Sequence, residues 1–158
     1  MEEKVLRLID FCKDALQSIS GYQPDKALDK GNCGNLAEWI IQVFHNAVPY
    51  IGYNSKREKP HVFTQVGKNC YDYSGIVDPE KWKFIEDARP YLAQGHFKNA
   101  YGFKGNKEEH PAEYNLHKQN EQKLMEKISK LIRDEFLREN WEEYAQYQKP
   151  KDQEKGSA

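Results

Sequence analysis

The chain has 158 residues, and its 24 Lys and Arg against 25 Asp and Glu leave a formal net charge of −1. That balance gives no global basis for binding nucleic acid or an anionic membrane. With 38% hydrophobic and 31% charged residues and no apolar run of membrane-spanning length, the expectation is one soluble domain over residues 1–148 with a disordered tail over 149–158.

Three cysteines, Cys12, Cys33 and Cys70, with no CxxC pair and no His at a zinc-ligand offset, argue against a disulfide framework and a metal site. No P-loop, GxGxxG or HExxH pattern occurs, so no cofactor is expected. The start, Met1-Glu2-Glu3-Lys4, lacks the character of a signal peptide. A cytoplasmic protein is expected where the chain is made; an effector exported without a classical signal peptide would read the same way.

Residues 2–19 carry Val5, Leu8, Ile9, Cys12, Leu16 and Ile19 at helical spacing. Gly21 suits a left-handed cap and Pro24 blocks continuation. Residues 25–32 read as a short connection. Then Gly31-Asn32-Cys33-Gly34-Asn35 opens an apolar run through Leu36, Ala37, Ile40, Ile41 and Phe44, a second helix ending near His45 or Ala47. Cys33 falls in its first turn, where unpaired backbone N–H groups favour an anion and hence a thiolate. Cys12, on the apolar stripe of the first helix, reads as a buried packing thiol.

Residues 48–53 look extended, and 54–60 form a polar turn. His61 to Val66 and Asn69 to Ser74 flank Gly67-Lys68, the chemistry of a two-residue hairpin. With that turn, Val66 pairs with Asn69, and alternation puts His61, Phe63, Gln65, Cys70, Asp72 and Ser74 on one face. Asp72 is then a diagonal cross-strand neighbour of His61, whereas a one-residue slip would turn it away. Asp78, before Pro79, reads as a turn residue and is the reserve acid. Residues 79–87 are expected to hold a short helix, 90–111 ordered loops with one strand at most, and 112–147 one long helix marked by Leu116, Leu124, Ile128, Leu131, Ile132, Phe136, Leu137, Trp141 and Tyr144.

The order of Cys33 at a helix start, His61 opening a strand and Asp72 in the next strand resembles the papain-like cysteine peptidase superfamily, within it the transglutaminase-like branch. The words that carry the likeness are Gly31-Asn32-Cys33-Gly34-Asn35-Leu36-Ala37 and the stretch from His61 to Gly75. The resemblance covers about residues 31–75. It implies an α+β fold in which the helix bearing the cysteine packs on an antiparallel sheet, with a catalytic core over about residues 20–110 and the long C-terminal helix added.

It further implies a Cys33-His61-Asp72 triad: Cys33 attacks a carbonyl carbon, His61 carries the proton and Asp72 orients the ring. The Cys33 backbone N–H and a side-chain donor would hold the oxyanion. Gln23 and Asn32 are the candidate donors, since Ala27 stands where papain has its glutamine.

The expected activity is thiol-dependent acyl transfer on amide bonds of a protein or peptide substrate, by a cysteine protease, glutamine deamidase or transglutaminase-like enzyme. The alternative is a non-catalytic binding or inhibitory protein on the same fold, docking through Trp141, Tyr144 and Tyr147. The sequence leaves the oligomeric state open.

Overall fold

The computed structural model describes residues 1–150; the expected tail over 149–158 therefore lies almost wholly outside the described residues. The protein is α+β, with one five-stranded antiparallel sheet and a long helix.

Helix α1 (Glu2–Ser20) buries Val5, Leu8, Ile9, Cys12 and Leu16 and stops at Gly21, whose φ of 75° accepts the left-handed cap. Residues 25–32 are more than a connection: Pro24 starts α2 (Pro24–Asp29), a short helix that buries Ala27 and Leu28. Proline is preorganised for a first helical position because its missing N–H needs no partner there. Helix α3 (Cys33–Val43) ends two residues or more before the expected boundary, with Phe44 already extended.

Helix α3 is apolar nearly all round because it is covered on two sides. Leu36, Trp39, Ile40 and Val43 join α1 and the C-terminal helices in the main core. Cys33 and Ala37 instead join Ile51, Val62, Ala88 and Leu92 in a smaller cluster against the sheet.

The sheet runs in the order β4 (Gly75–Val77), β3 (Asn69–Asp72), β2 (His61–Val66), β1 (Val48–Tyr53), β5 (Phe84–Asp87). The hairpin has the expected register, Val66 opposite Asn69 and Thr64 opposite Tyr71. Phe63, Cys70 and Val77 form a separate cluster, with Tyr50 and Trp82 packed on it.

The expected helix over 79–87 is instead a single 3₁₀ turn (Pro79–Lys81) followed by β5, which pairs with β1. Asp78 caps that turn by accepting from the Glu80 N–H, which confirms it as a turn residue, and extended backbone at Trp82 aims the chain back along the sheet. Residues 90–111 hold no strand; α4 (Arg89–Ala93) is followed by loop. The periodic stretch 112–147 is likewise not one helix. Helix α5 (Pro111–Leu131) passes through a π turn (Ile132–Phe136) into α6 (Leu137–Glu139), breaks at Asn140 and resumes as α7 (Trp141–Tyr144). The π turn lets both Phe136 and Leu137 face inward. Leu116 and Trp141 are more than half exposed despite their spacing. No helix among the described residues is long and apolar enough to cross a membrane.

Candidate active site

The two-residue turn at Gly67-Lys68 sets which side chains meet. It brings Asp72 to His61, whose Nε2 lies 2.9 Å from Asp72 Oδ2. Asp72 is 4% exposed. Its other oxygen accepts from the backbone N–H and hydroxyl of Ser74, so both oxygens of the buried carboxylate are engaged. Burial works against the Asp72 charge, but the bonds from His61 and Ser74 outweigh it and hold the carboxyl below its ordinary value.

His61 is tuned in the complementary direction. Burial disfavours the imidazolium, yet the hydrogen bond to Asp72, the nearness of Cys33 and the Asp72 charge raise the ring to about 9. Nδ1, the nitrogen not taken by Asp72, is buried and has no hydrogen bond that meets ordinary geometry among the described residues. The structure thus brings Cys33, His61 and Asp72 into one neighbourhood.

An aromatic wall covers the imidazole. The Trp82 indole stacks on it at 6.0 Å between centroids and on Phe63 at 4.5 Å, while Tyr73 meets the ring edge-on. Room for Trp82 comes from Gly52, which pairs with His61 across β1 and β2. A Cβ at Gly52 would lie 2.3 Å from the indole. Gly52→Val is therefore expected to cost about 1–3 kcal/mol in urea unfolding by overpacking. Adding Trp82→Ala to that variant should recover part of the loss, and strictly additive effects in the double-mutant cycle would count against the contact.

The start of α3 is held by the loop after α4. Gly34 donates its N–H to the Phe97 carbonyl at 2.8 Å. The Asn35 and Asn99 amides bond each other, Asn35 Oδ1 also taking the Asn99 N–H, and Asn32 Oδ1 accepts from the Ala100 N–H. Phe97 and Asn99 both have φ near +60°, a region non-glycine residues enter rarely and most often near functional sites. At Gly31, φ is +137° and a Cβ would sit 2.7 Å from the Tyr101 nitrogen, so only glycine allows that approach.

These bonds decide which N–H groups remain. That of Gly34 is used, while that of Cys33 has no partner among the described residues. Of the two candidate side-chain donors, Asn32, which precedes Cys33 in the chain, is fully buried and its Nδ2 is unpartnered among the described residues. Gln23 is exposed at the start of α2 and makes no side-chain hydrogen bond among the described residues.

Cys33 is 5% exposed, with Tyr53, Tyr91 and Phe97 packed against its cluster. Tyr91 donates to Glu86, which pairs with Arg57 from the loop after β1. Cys12 lies wholly in the main core, where burial pushes its thiol up. Cys70 is also raised by burial and belongs to the Phe63 cluster, so packing accounts for both. A groove of about 980 Å³ between α3 and α5 is lined by such residues as Asn35, Gln42, Asn115 and Gln122, with neither Cys33 nor His61 in its lining. Among the described residues no cluster of His, Cys, Asp or Glu is suited to a metal ion.

Sequence reasoning did not single out Trp82, Ser74, Asn35 or Asn99 as parts of this site. A signal existed for Ser74, two residues after an aspartate in a turn, where Asx-type bonding is common. Trp82 and Asn99 reach the site only through tertiary packing.

The fold and site define an α+β protein in which a cysteine opens a buried helix beside a carboxylate-bound histidine. The chain belongs to the Phage YunG-like protein family, whose sequence pattern matches residues 13–146. No curated protein and no solved structure matches it.

Proposed function

We propose that the protein is a thiol-dependent acyl-transfer enzyme acting on amide bonds of a protein or peptide, built on a papain-like core of the transglutaminase-like kind. The observation that carries this reading is the His61 ring bonded to buried Asp72 through Nε2 while Cys33 acts on the same ring. That leaves Nδ1 to exchange a proton with sulfur and substrate, the division of labour a nucleophile, a base and an orienting acid require.

Cys33 attacks the carbonyl carbon as thiolate, with its own N–H and the Asn32 amide as oxyanion donors. His61 protonates the leaving nitrogen, and water or an amine then resolves the thioester. Hydrolysis gives a protease or deamidase, and aminolysis a transglutaminase-like enzyme.

The test is acylation of Cys33 by a peptide carrying an activated C-terminal ester. Intact-protein mass spectrometry should show a thioester in wild type, abolished in Cys33→Ala and strongly slowed in His61→Ala. Equal acylation of Cys12, Cys33 and Cys70 would refute the reading.

The alternative docking surface loses support. Tyr144 is fully buried and Tyr147 partly buried against the main core, so Trp141 alone of the three is free to meet a partner.

A further inference from the structure

We infer that Asp29 forms the leaving-group side of the candidate site and selects amides whose amine half carries a positive charge, such as a lysine or arginine residue. This deepens, and rests on, the acyl-transfer reading above.

Asp72 occupies Nε2, so the proton delivered to a departing nitrogen must come from Nδ1. Asp29 Oδ1 stands 3.9 Å from that atom, beyond a hydrogen bond but within direct electrostatic reach. A departing nitrogen bonded to Nδ1–H at about 3 Å would lie no farther than about 7 Å from Asp29 Oδ1. A side chain attached to that nitrogen's own residue can span this distance.

The carboxylate is also available. Asp29 ends α2 with its side chain 39% exposed, and among the described residues its one ion-pair partner is His61. Lys13 is taken by Asp25 and the Tyr73 carbonyl. The Tyr73 ring meets His61 edge-on, and burial together with the Asp29 charge raises the Tyr73 hydroxyl.

In the step concerned, a bond forms between the Cys33 sulfur and the carbonyl carbon, and the C–N bond breaks. The nitrogen keeps the bonding electron pair and takes the Nδ1 proton, giving a thioester and a free amine. Water then adds to the thioester carbon, returns one proton to His61 and releases the acid and the thiolate. A cation on the amine half pairs with Asp29 through the first of these events.

Cys33 itself can report the local charge. The cationic reagent 2-aminoethyl methanethiosulfonate and the anionic 2-sulfonatoethyl methanethiosulfonate are compared on the full chain, reading the Cys33 peptide by mass spectrometry so that Cys12 and Cys70 do not contribute. The cation-to-anion rate ratio should fall about tenfold in Asp29→Asn and hold in Asp14→Asn, an exposed carboxylate on α1. The same pair is then tested on peptides with Lys or Glu first on the amine side of the scissile bond, where wild type should favour Lys and Asp29→Asn should lose that preference. An unchanged reagent ratio, or a Lys preference that survives Asp29→Asn, overturns the inference. A shifted reagent ratio with no amide ever cleaved would instead overturn the acyl-transfer reading, and the substrate assignment with it.

Discussion

Replacing His61 by alanine should reduce amide turnover by about 10²–10⁴-fold, the usual worth of a positioned acid–base group, while the protein stays folded. The pH profile carries the more specific expectation. His61 must be protonated to deliver a proton to the leaving nitrogen, and its ring is raised to about 9. Turnover should therefore fall as pH rises through about 9.

Asp72→Asn removes one cause of that elevation, so the alkaline limb should move down in pH as well as losing height. Stability should follow the same groups. A histidine raised from 6.5 to about 9 contributes stability that is complete below about 6.5 and gone above about 9. A carboxyl lowered from 3.8 contributes above that value and loses its contribution on acidification. The gap in thermal stability between wild type and Asp72→Asn should thus be widest at about pH 4–6.5 and narrow above about 9, where only the Ser74 bonds to Asp72 remain. An alkaline limb that stays in place in Asp72→Asn would show that the carboxylate does not set the ring.

Much of this site follows from local rules. A two-residue turn with glycine first fixes the register from Val66 and Asn69, and strand alternation then gives Asp72 its address relative to His61. The start of α3 at Cys33 is also a local matter, since Gly31 and Asn32 stop helical structure and the apolar run begins after them. Elsewhere the sequence has no such short-range determinant. Phe84 to Asp87 is an edge strand because β1 offers it a partner, while its own composition suits a helix as well as a strand. The loop over α3 is set by the Asn35–Asn99 pair, joined across 64 positions, and by positive φ at Phe97 and Asn99, neither of which periodicity can register. Trp82 reaches His61 only because Gly52 leaves space on a third element.

The C-terminal segment is the case in which periodicity found most of the buried residues, Leu116 and Trp141 excepted, and the wrong geometry, and Tyr144→Ala should expose why. Tyr144 is fully buried, with Phe136 at 4.9 Å and Phe44 at 5.9 Å between ring centroids, and its hydroxyl donates to the Lys4 carbonyl at 2.7 Å. One side chain so joins α1, the end of α3 and the helices after the π turn.

Truncating it should cost about 3–5 kcal/mol in urea unfolding, the range for large buried aromatics. Tyr144→Phe, which loses only the hydroxyl, should cost about 1 kcal/mol. Trp141→Ala, at an exposed position three residues earlier, should stay within about 0.5 kcal/mol of wild type. If Tyr144→Ala unfolded like wild type, the C-terminal helices would be an appendage and free to dock elsewhere. If it destabilises as expected, the family's match across residues 13–146 spans one cooperative unit, because the same core that holds Tyr144 also holds Leu36, Trp39 and Ile40 and through them positions the helix that begins at Cys33.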